Sequence, residues 1–313
     1  MKRKRTRHSL SSSHQQWLSK STRSKSVSAT YFYLPHECWE FVFKFLINCD
    51  ENNSCSYFKS LSVVLKQFLS ITNRLRFSLN IWSSTRPFLP SLFRRFINLT
   101  SLNLRCYFGS LNKLLLQISC FPLKITSLNL SNHPTTPAYG LQVFSQNITT
   151  LTSLKCSDIE SFSINHVFLI ADCFPLLEEL DLSNPKLIDG YGISEEGIGQ
   201  VLRRCCNIRH LNIACCSRVN LCGMKFDICK LEALNLSDTI VDDKTLYVIS
   251  KSCCGLLQLL LEKCYCVTSN GVKHVVENCT LLREIDLRGC YRVDKDVVTL
   301  MGFSRPSLRK ITV

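Results

Sequence analysis

The stretch Leu282-Arg283-Glu284-Ile285-Asp286-Leu287-Arg288-Gly289-Cys290 decides the fold, because related stretches recur along most of the chain. With Ile285 as the anchor, the apolar anchors of the related stretches are Leu102, Leu128, Leu154, Leu180, Leu211, Leu234, Leu259 and Ile311. Consecutive anchors lie 23 to 31 residues apart, and the commonest spacing is 26. Self-similarity at such a period is typical of a solenoid, in which one structural unit is stacked many times.

Each unit is predicted to contain one strand and one helix. In the strand, the anchor and the residue two positions later point inward, and the residue between them faces solvent. The segments between strands carry residues suited to a helix N-cap, which are Ser194, Asn220, Asp242, Thr268 and Asp294. We therefore predict an α/β solenoid of about nine repeats over residues 101–313, with parallel strands on the concave face and helices on the convex face. A single unit cannot bury its apolar side, so stacking stabilises it.

The composition limits the class of protein. The chain has 313 residues, 45% of them hydrophobic, which is enough for a small module followed by a solenoid. It has no run of 18 apolar residues and no apolar segment after its charged start, so neither a membrane span nor a signal peptide is predicted. Nineteen cysteines without a secretory signal indicate reduced thiols in the nucleus or cytoplasm.

Residues 1–30 are predicted to be a disordered basic tail. They contain eight Lys or Arg, nine Ser and no acidic residue, and so polar a segment cannot form a core. The run Lys2-Arg3-Lys4-Arg5-Thr6-Arg7 fits a nuclear-localisation signal, a plain solvated tail or part of an organelle transit peptide, and the sequence leaves all three open. Because aromatic residues are not interleaved with the charges, binding to nucleic acid gains little support.

A short helical module is predicted at residues 31–78. Leu34-Pro35-His36-Glu37 opens a helix, since proline and acids suit its first turn, and apolar residues at helical spacing continue to Leu46. A second apolar helix is predicted at Leu61–Leu69. Residues 79–100 are predicted to be a helical joint that caps the solenoid. Its apolar side chains, expected to be buried, are Trp82, Phe88, Leu89, Leu92, Phe93 and Phe96.

The helical module resembles an F-box. The family's pattern opens with Leu-Pro-x-Glu, as at Leu34 to Glu37 here, and closes on a segment similar to Ser60 to Phe68. The resemblance covers residues 34–78, about a seventh of the chain, and departs from the pattern at Leu65, where many members have Cys. The repeats are similar to the cysteine-containing leucine-rich repeats that commonly follow an F-box, best known from plants and vertebrates.

The resemblance implies a substrate receptor of an SCF-type (Skp–cullin–F-box) ubiquitin ligase. The F-box would dock the Skp adaptor, and through it the cullin, while the solenoid would hold the protein to be ubiquitinated. Catalysis would belong to the partners, so no catalytic residue, metal or cofactor is expected in this chain. The residues carried over to the adaptor contact are Leu34, Pro35, Val42, Leu46 and Val64.

Three other interpretations stay open. The apolar helix pair could merely cap the first repeat, because solenoid ends need caps. The chain could be an interaction scaffold that acts without a ligase. It could also be a small-molecule sensor, as some plant F-box receptors are, although its outward strand residues are small and polar and predict no apolar pocket.

The cysteines do not have the spacing of a metal site. They form two ladders, with Cys205, Cys253 and Cys279 six residues before an anchor and Cys216, Cys264 and Cys290 five residues after one. Such ladders predict buried thiols that act as small apolar side chains rather than the C-x-x-C pairs of a zinc site. The sequence also lacks the motifs of serine hydrolases, zinc proteases, P-loops and dinucleotide-binding folds.

The substrate surface is predicted on the concave face and its rim. The outward column of the sheet, one residue after each anchor, is Asn103, Asn129, Lys155, Asp181, Asn212, Asn235, Leu260, Asp286 and Thr312. Leu260 is its only aliphatic member, and Tyr265 and Tyr291, which lie 26 residues apart, should stack along one rim. Aromatic residues beside an apolar contact are typical of an interface hot spot. The predicted substrate-binding residues are Asp181, Asn212, Asn235, Leu260, Tyr265, Asp286 and Tyr291.

Overall fold

The structure is a computed structural model that describes residues 34–48, 59–186, 193–217, 219, 221 and 230–313. The predicted basic tail at residues 1–30 and the predicted capping residue Asn220 lie outside these ranges. Within them, no helix combines the length and the apolar character that crossing a bilayer requires.

The described residues contain ten short strands, which form one parallel sheet in chain order. The register places each anchor beside the next, as Leu259 beside Ile285, and the anchors from Leu102 to Ile285 are at most 2% exposed. All nine predicted anchors are confirmed as the central residues of strands. The strands are β1 (Ser78–Asn80), β2 (Ser101–Asn103), β3 (Ser127–Asn129), β4 (Ser153–Lys155), β5 (Glu179–Asp181), β6 (His210–Asn212), β7 (Ala233–Asn235), β8 (Gln258–Leu260), β9 (Glu284–Asp286) and β10 (Lys310–Thr312).

Strand β1 is one more than the nine predicted. Leu79 pairs with Leu102, and its sequence Ser-Leu-Asn recurs in β2 and β3, so the repeat signal was present. The strand spans the predicted boundary between the helical module and the joint. Sequence reasoning missed it because the following segment is rich in aromatic residues and prolines, which hides the repeat.

The helices of the solenoid pack behind the sheet, and a continuous apolar core lies between the two layers. They include α3 (Leu89–Arg95), α4 (Leu111–Ser119), α5 (Ala138–Asn147), α6 (Ile164–Cys173), α7 (Glu195–Arg204), α8 (Asp243–Ser252), α9 (Ser269–Asn278) and α10 (Lys295–Ser304). The predicted capping residues Ser194, Asp242 and Thr268 are confirmed, because each accepts a backbone N–H from the first turn of its helix at 2.9–3.4 Å. Asp294 is not such a cap. Its carboxylate instead accepts a bond of 2.9 Å from Ser269 Oγ in the preceding repeat.

A tight turn follows the strands, and one residue in it has a left-handed backbone. This residue lies four positions after the anchor, and in six repeats its N–H donates to a carbonyl of the next repeat, as Lys263 does to Arg288 at 2.7 Å. The turns therefore form a second ladder of hydrogen bonds beside the sheet. The left-handed residues, with φ between +52° and +73°, are Asn132, Asp158, Asn184, Cys215, Asp238, Lys263 and Gly289.

Helices α1 (His36–Asn48) and α2 (Lys66–Arg74) form a separate helix pair. Their small core contains Phe43, Phe68, Ile71 and Leu75, and Trp39 packs on Phe68 with ring centroids 4.7 Å apart. The predicted helix at 61–69 is wrong in its bounds, since residues 59–62 are helical, 63–64 form a turn and α2 begins only at 66. The turn interrupts this apolar run and leaves Val63, Val64 and Leu65 exposed, outside the small core.

The predicted joint at 79–100 is only partly buried. It contains a 3-10 helix at Ser83–Phe88 followed by α3, and Leu89, Phe93 and Phe96 are buried against the first repeats. Trp82 and Phe88, which we expected to be buried, are 49% and 62% exposed. Trp82 directly precedes the 3-10 helix and Phe88 is its last residue. That helix has no buried residue, so of the two helices of the joint only α3 contributes buried side chains.

Replacing Gly271 by Ala should destabilise the solenoid. The added Cβ would collide with the Asp243 carboxylate and lie 3.0 Å from the Asp243 Cα. That carboxylate cannot easily move, because it accepts bonds of 2.8 and 2.6 Å from the N–H and Oγ–H of Thr268. We expect a loss of about 1–3 kcal/mol in the free energy of unfolding, measured with urea.

The matched control is Gly302→Ala in α10, where no atom lies within 4 Å of the new Cβ. Better helix propensity should there raise stability by up to about 1 kcal/mol. Equal effects of the two substitutions would contradict the close approach of α9 to α8.

Candidate protein-binding surfaces

Most residues of the outward column on the concave face stabilise the turn that follows their strand. At six strands the side-chain oxygen of an Asn or Asp accepts the backbone N–H two residues later, at 2.9–3.1 Å. This contact is an Asx turn, and it ends each strand in the same way. The six residues are Asn103, Asn129, Asp181, Asn212, Asn235 and Asp286. Their polarity therefore has a cause that is independent of any ligand.

Lys155 and Leu260 interrupt this ladder, because neither side chain offers an oxygen to the turn. Behind Lys155, the Ser157 N–H takes Ser131 Oγ as its acceptor at 3.2 Å. Leu260 is half-buried, while Leu259 and Leu261 on either side of it are fully buried. The predicted register, with Leu260 outward and its neighbours inward, is confirmed.

A concavity of about 320 Å³ lies on the concave face between β4 and β8. Among its lining side chains are Asp181, Asn212, Asn235 and Leu260, which the sequence singled out, and so the fold brings these four predicted residues together. Other lining residues, which were not among the predicted substrate-binding residues, include Lys155, Glu179, His210 and Gln258. Except for Lys155 they precede an anchor, and the alternation of strand side chains could have identified them as outward-facing too.

Of the two carboxylates that line the concavity, one forms an ion pair within the described part of the chain and the other does not. Glu179 binds Lys155 Nζ at 3.0 Å and accepts a bond of 2.6 Å from Ser153 Oγ. Burial alone would raise the pKa of Glu179, but these hydrogen bonds outweigh it and hold the pKa below its ordinary value. Asp181 receives two bonds from Ser183 through one oxygen and forms no ion pair with another described residue. One carboxylate of the concavity thus lacks a cationic partner in this part of the chain.

Asp286 does not belong to the open surface. Its side chain is covered by Arg288, which binds it at 2.7–3.1 Å, and the residue is only 7% exposed. The Arg288 hydrogen bond holds the pKa of this carboxyl below its ordinary range. Sequence reasoning placed Asp286 by its column alone and could not foresee that an arginine two residues later would fold back over it.

Tyr265 and Tyr291 stack as predicted. Their ring centroids are 6.2 Å apart, the ring planes differ by 15°, and the residues are 54% and 86% exposed. Tyr291 also borders an apolar cavity of about 580 Å³ at the β10 end, lined in part by Leu287, Val293 and Val298. The pair offers a flat aromatic surface on the rim, outside the concavity around Asp181.

The helix pair carries the second exposed apolar surface. Leu34, Val42 and Val64, three predicted adaptor contacts, are 41%, 43% and 59% exposed, and Pro35 is exposed as well. The side chain of Leu46 lies outside the described ones. Further exposed apolar residues that sequence reasoning did not assign to this surface are Phe41, Phe45 and Val63. We call this set, without Leu46, the apolar helix-pair surface.

The cysteine ladders are confirmed as packing thiols. All six cysteines of the two ladders are buried, and Cys264 Sγ and Cys290 Sγ donate to carbonyls of the preceding repeat at 3.1 and 3.0 Å. Burial raises the pKa of the Cys264 thiol to about 12. The described residues contain no group of three or more side chains that could hold a metal ion.

Three adjacent cysteine pairs provide a test of this packing. Cys205, Cys216 and Cys253 are buried, whereas Cys206, Cys215 and Cys254 beside them are exposed. At pH 8 in the folded protein, iodoacetamide should label the exposed partner of each pair at least about tenfold faster, because only accessible thiolates react. Peptide mass spectrometry reads both rates, and urea should abolish the difference. Similar rates in the folded state would contradict the burial.

Comparison with known proteins shows the fold of the chain. No family model matches the sequence. A chain of the yeast Rad7–Elc1 complex is similar over 88% of this chain and 81% of its own length, with a TM-score of 0.65 and 17% identity. The leucine-rich-repeat protein LegL7 of Legionella pneumophila is similar over 81% of this chain and 85% of its own, with a TM-score of 0.52 and 18% identity. The described residues from β1 onward form a leucine-rich-repeat solenoid.

Proposed function

We propose that the protein is the substrate-recognition subunit of an SCF-type ubiquitin ligase. In this function the apolar helix-pair surface docks a Skp-type adaptor, which links it to a cullin, and the solenoid binds the protein to be ubiquitinated. The observation that carries the proposal is the exposed apolar surface on a helix pair that already has its own core. Exposed apolar patches of this kind mark protein-binding sites.

The arrangement of the helix pair favours docking over simple capping. Phe43 points into the small core while Phe41 and Phe45, two positions away on either side, are 74% and 69% exposed. A cap of the solenoid would turn its apolar residues toward the first repeat, and here α3 already supplies Leu89 and Phe93 for that purpose. The outward residues of α1 therefore need another partner.

The helix pair is tied to the solenoid by polar contacts. Asn98 Nδ2 donates to the Arg74 carbonyl at 2.9 Å, and Arg95 Nε donates to Asn73 Oδ1 at 2.7 Å. These bonds join the end of α2 to the first repeats. A receptor gains from such a connection, because a substrate held at a defined place raises its effective concentration at the ligase.

The runner-up is a leucine-rich-repeat scaffold that binds proteins without a ligase. The likeness to a chain from a two-protein complex supports protein partners in general and favours neither version. A small-molecule sensor fits less well, since the concavity is at the lower end of ligand-pocket volumes and is not lined predominantly by apolar side chains. In the proposed ligase, catalysis would reside in the partners.

Binding to a purified Skp-type adaptor tests the proposal. Val42→Glu combined with Val64→Glu should weaken adaptor binding at least about thirtyfold, because two charges would enter an apolar contact. Leu34→Ala with Pro35→Ala should act in the same direction. The unfolding midpoint should stay nearly unchanged, since these side chains are exposed. Calorimetry and thermal unfolding give the two measurements.

The matched control is Ile97→Glu. Ile97 is 69% exposed and apolar but lies in the joint, outside the apolar helix-pair surface. Its substitution should leave adaptor affinity unchanged. If wild-type protein fails to bind the adaptor, the scaffold function is favoured; if the control weakens binding as much as the double variant, the adaptor contacts a different surface.

A further inference from the structure

We infer that the concavity between β4 and β8 binds an extended segment of the substrate protein, with a cationic side chain at one position and an apolar side chain four residues away. This inference rests on the proposed function in that it names the kind of sequence the solenoid would recognise. Four observations support it. They are the missing Asx-turn bonds at Lys155 and Leu260, the carboxylate of Asp181 without a cationic partner among the described residues, the distance between Asp181 and Leu260, and the side-chain amides that lie between these two residues.

The first observation is that two strands lining the concavity lack the Asx-turn hydrogen bond found in other repeats. An Asn or Asp at the outward column secures the turn after its strand in six repeats. Lys155 and Leu260 give up that bond, and these two residues lie on β4 and β8, the outermost strands that line the concavity. Residues that break a favourable structural rule are expected at functional sites.

The unpaired carboxylate selects a cation. The concavity contains two carboxylates, Glu179 and Asp181, one lysine, Lys155, which binds Glu179, and one histidine, His210, which lies beside Glu179 in the sheet. A partner with one Lys or Arg would complete the pairing at Asp181. With His210 counted as neutral, the charged side chains that line the concavity sum to a formal charge of −1, so it favours a cationic over an anionic side chain.

The apolar position follows from the geometry of the sheet. Asp181 lies on β5 and Leu260 on β8, which are three strand spacings apart. With about 4.8 Å per spacing, the separation is about 14 Å, and an extended peptide covers it in about four residues. The ligand would run along the solenoid axis, across the strands, with its apolar side chain against Leu260.

The residues between these two ends suit a peptide backbone. The Oδ1 atoms of Asn212 and Asn235 are occupied by the Asx turns, which orients each side chain and leaves its NH₂ group as the donor. Both line the concavity. Amide donors there can bind the carbonyls of an extended segment, and carbonyls are present whatever its side chains.

Peptide selection on the full chain tests the inference. A phage library of random 12-residue peptides should yield sequences with Lys or Arg at one position and Leu, Ile, Met or an aromatic residue four positions away. A synthetic selected peptide, labelled with fluorescein, then reports the dissociation constant by anisotropy. Affinity should fall as salt rises, since one ion pair contributes to it. Selected peptides without this pairing would overturn the inference.

Two substitutions use residues that the protein itself places at equivalent positions. Leu260→Asn supplies the missing Asx oxygen, so the unfolding midpoint should stay equal or rise, yet peptide affinity should fall at least tenfold. Asp181→Asn keeps the bond to the turn, as Asn212 and Asn235 do, and removes only the charge. It should weaken the peptide about tenfold and remove most of the salt dependence.

The control is Asp286→Asn, the same change in the same column at a carboxylate that Arg288 covers. It should leave peptide affinity unchanged. Unaltered affinity in both Leu260→Asn and Asp181→Asn would place the ligand elsewhere, and unfolding of Leu260→Asn would make Leu260 a core residue; either result overturns the inference. Adaptor binding of Leu260→Asn, measured in parallel, should equal wild type, so failure of the peptide site and failure of the ligase function are distinguishable.

Discussion

No repeat of this protein can bury its own apolar side, and the rest of the structure depends on that constraint. Each strand contributes an anchor and a second inward residue, such as Leu259 and Leu261, and both reach zero exposure only because neighbouring repeats cover them. The backbone is satisfied in the same way, through the sheet and through the left-handed turns after β3 to β8, whose N–H groups donate to the next repeat. Stability is therefore shared between neighbours, and a change such as Gly271→Ala acts on the contact between two repeats.

The same stacking explains why so much of the concave face is occupied by structural side chains. In six repeats the side-chain oxygen of an Asn or Asp in the outward column accepts a backbone N–H of the turn that follows. Buried thiols such as Cys264 donate to a carbonyl of the preceding repeat. A column of polar residues on a solenoid is thus weak support for a binding surface. The informative positions are those that leave the pattern, and Lys155 and Leu260 do so at two strands that line one concavity.

The helix pair obeys a different physical rule. It has a core of four buried side chains, including Phe43 and Phe68, and yet exposes more apolar residues than it buries. So small a core contributes little stability, and polar contacts with Asn98 and Arg95 tie the pair to the repeats. The proposed function therefore assigns separate roles to two surfaces, an apolar one on the helix pair and a polar, partly acidic one on the sheet.

The sequence by itself determined the repeat, the nine anchors, three helix caps, the thiol ladders and the stacking of Tyr265 on Tyr291. All of these follow from a fixed period, because residues one repeat apart become neighbours once the strands align. Only the tertiary structure decided which side chains are free to meet a partner. Asp286 is covered by Arg288. Trp82 and Phe88 are exposed, although their apolar side chains favour burial. Periodicity specifies which residues face one another, whereas exposure depends on where long side chains fold back and on which helix reaches the end of the stack.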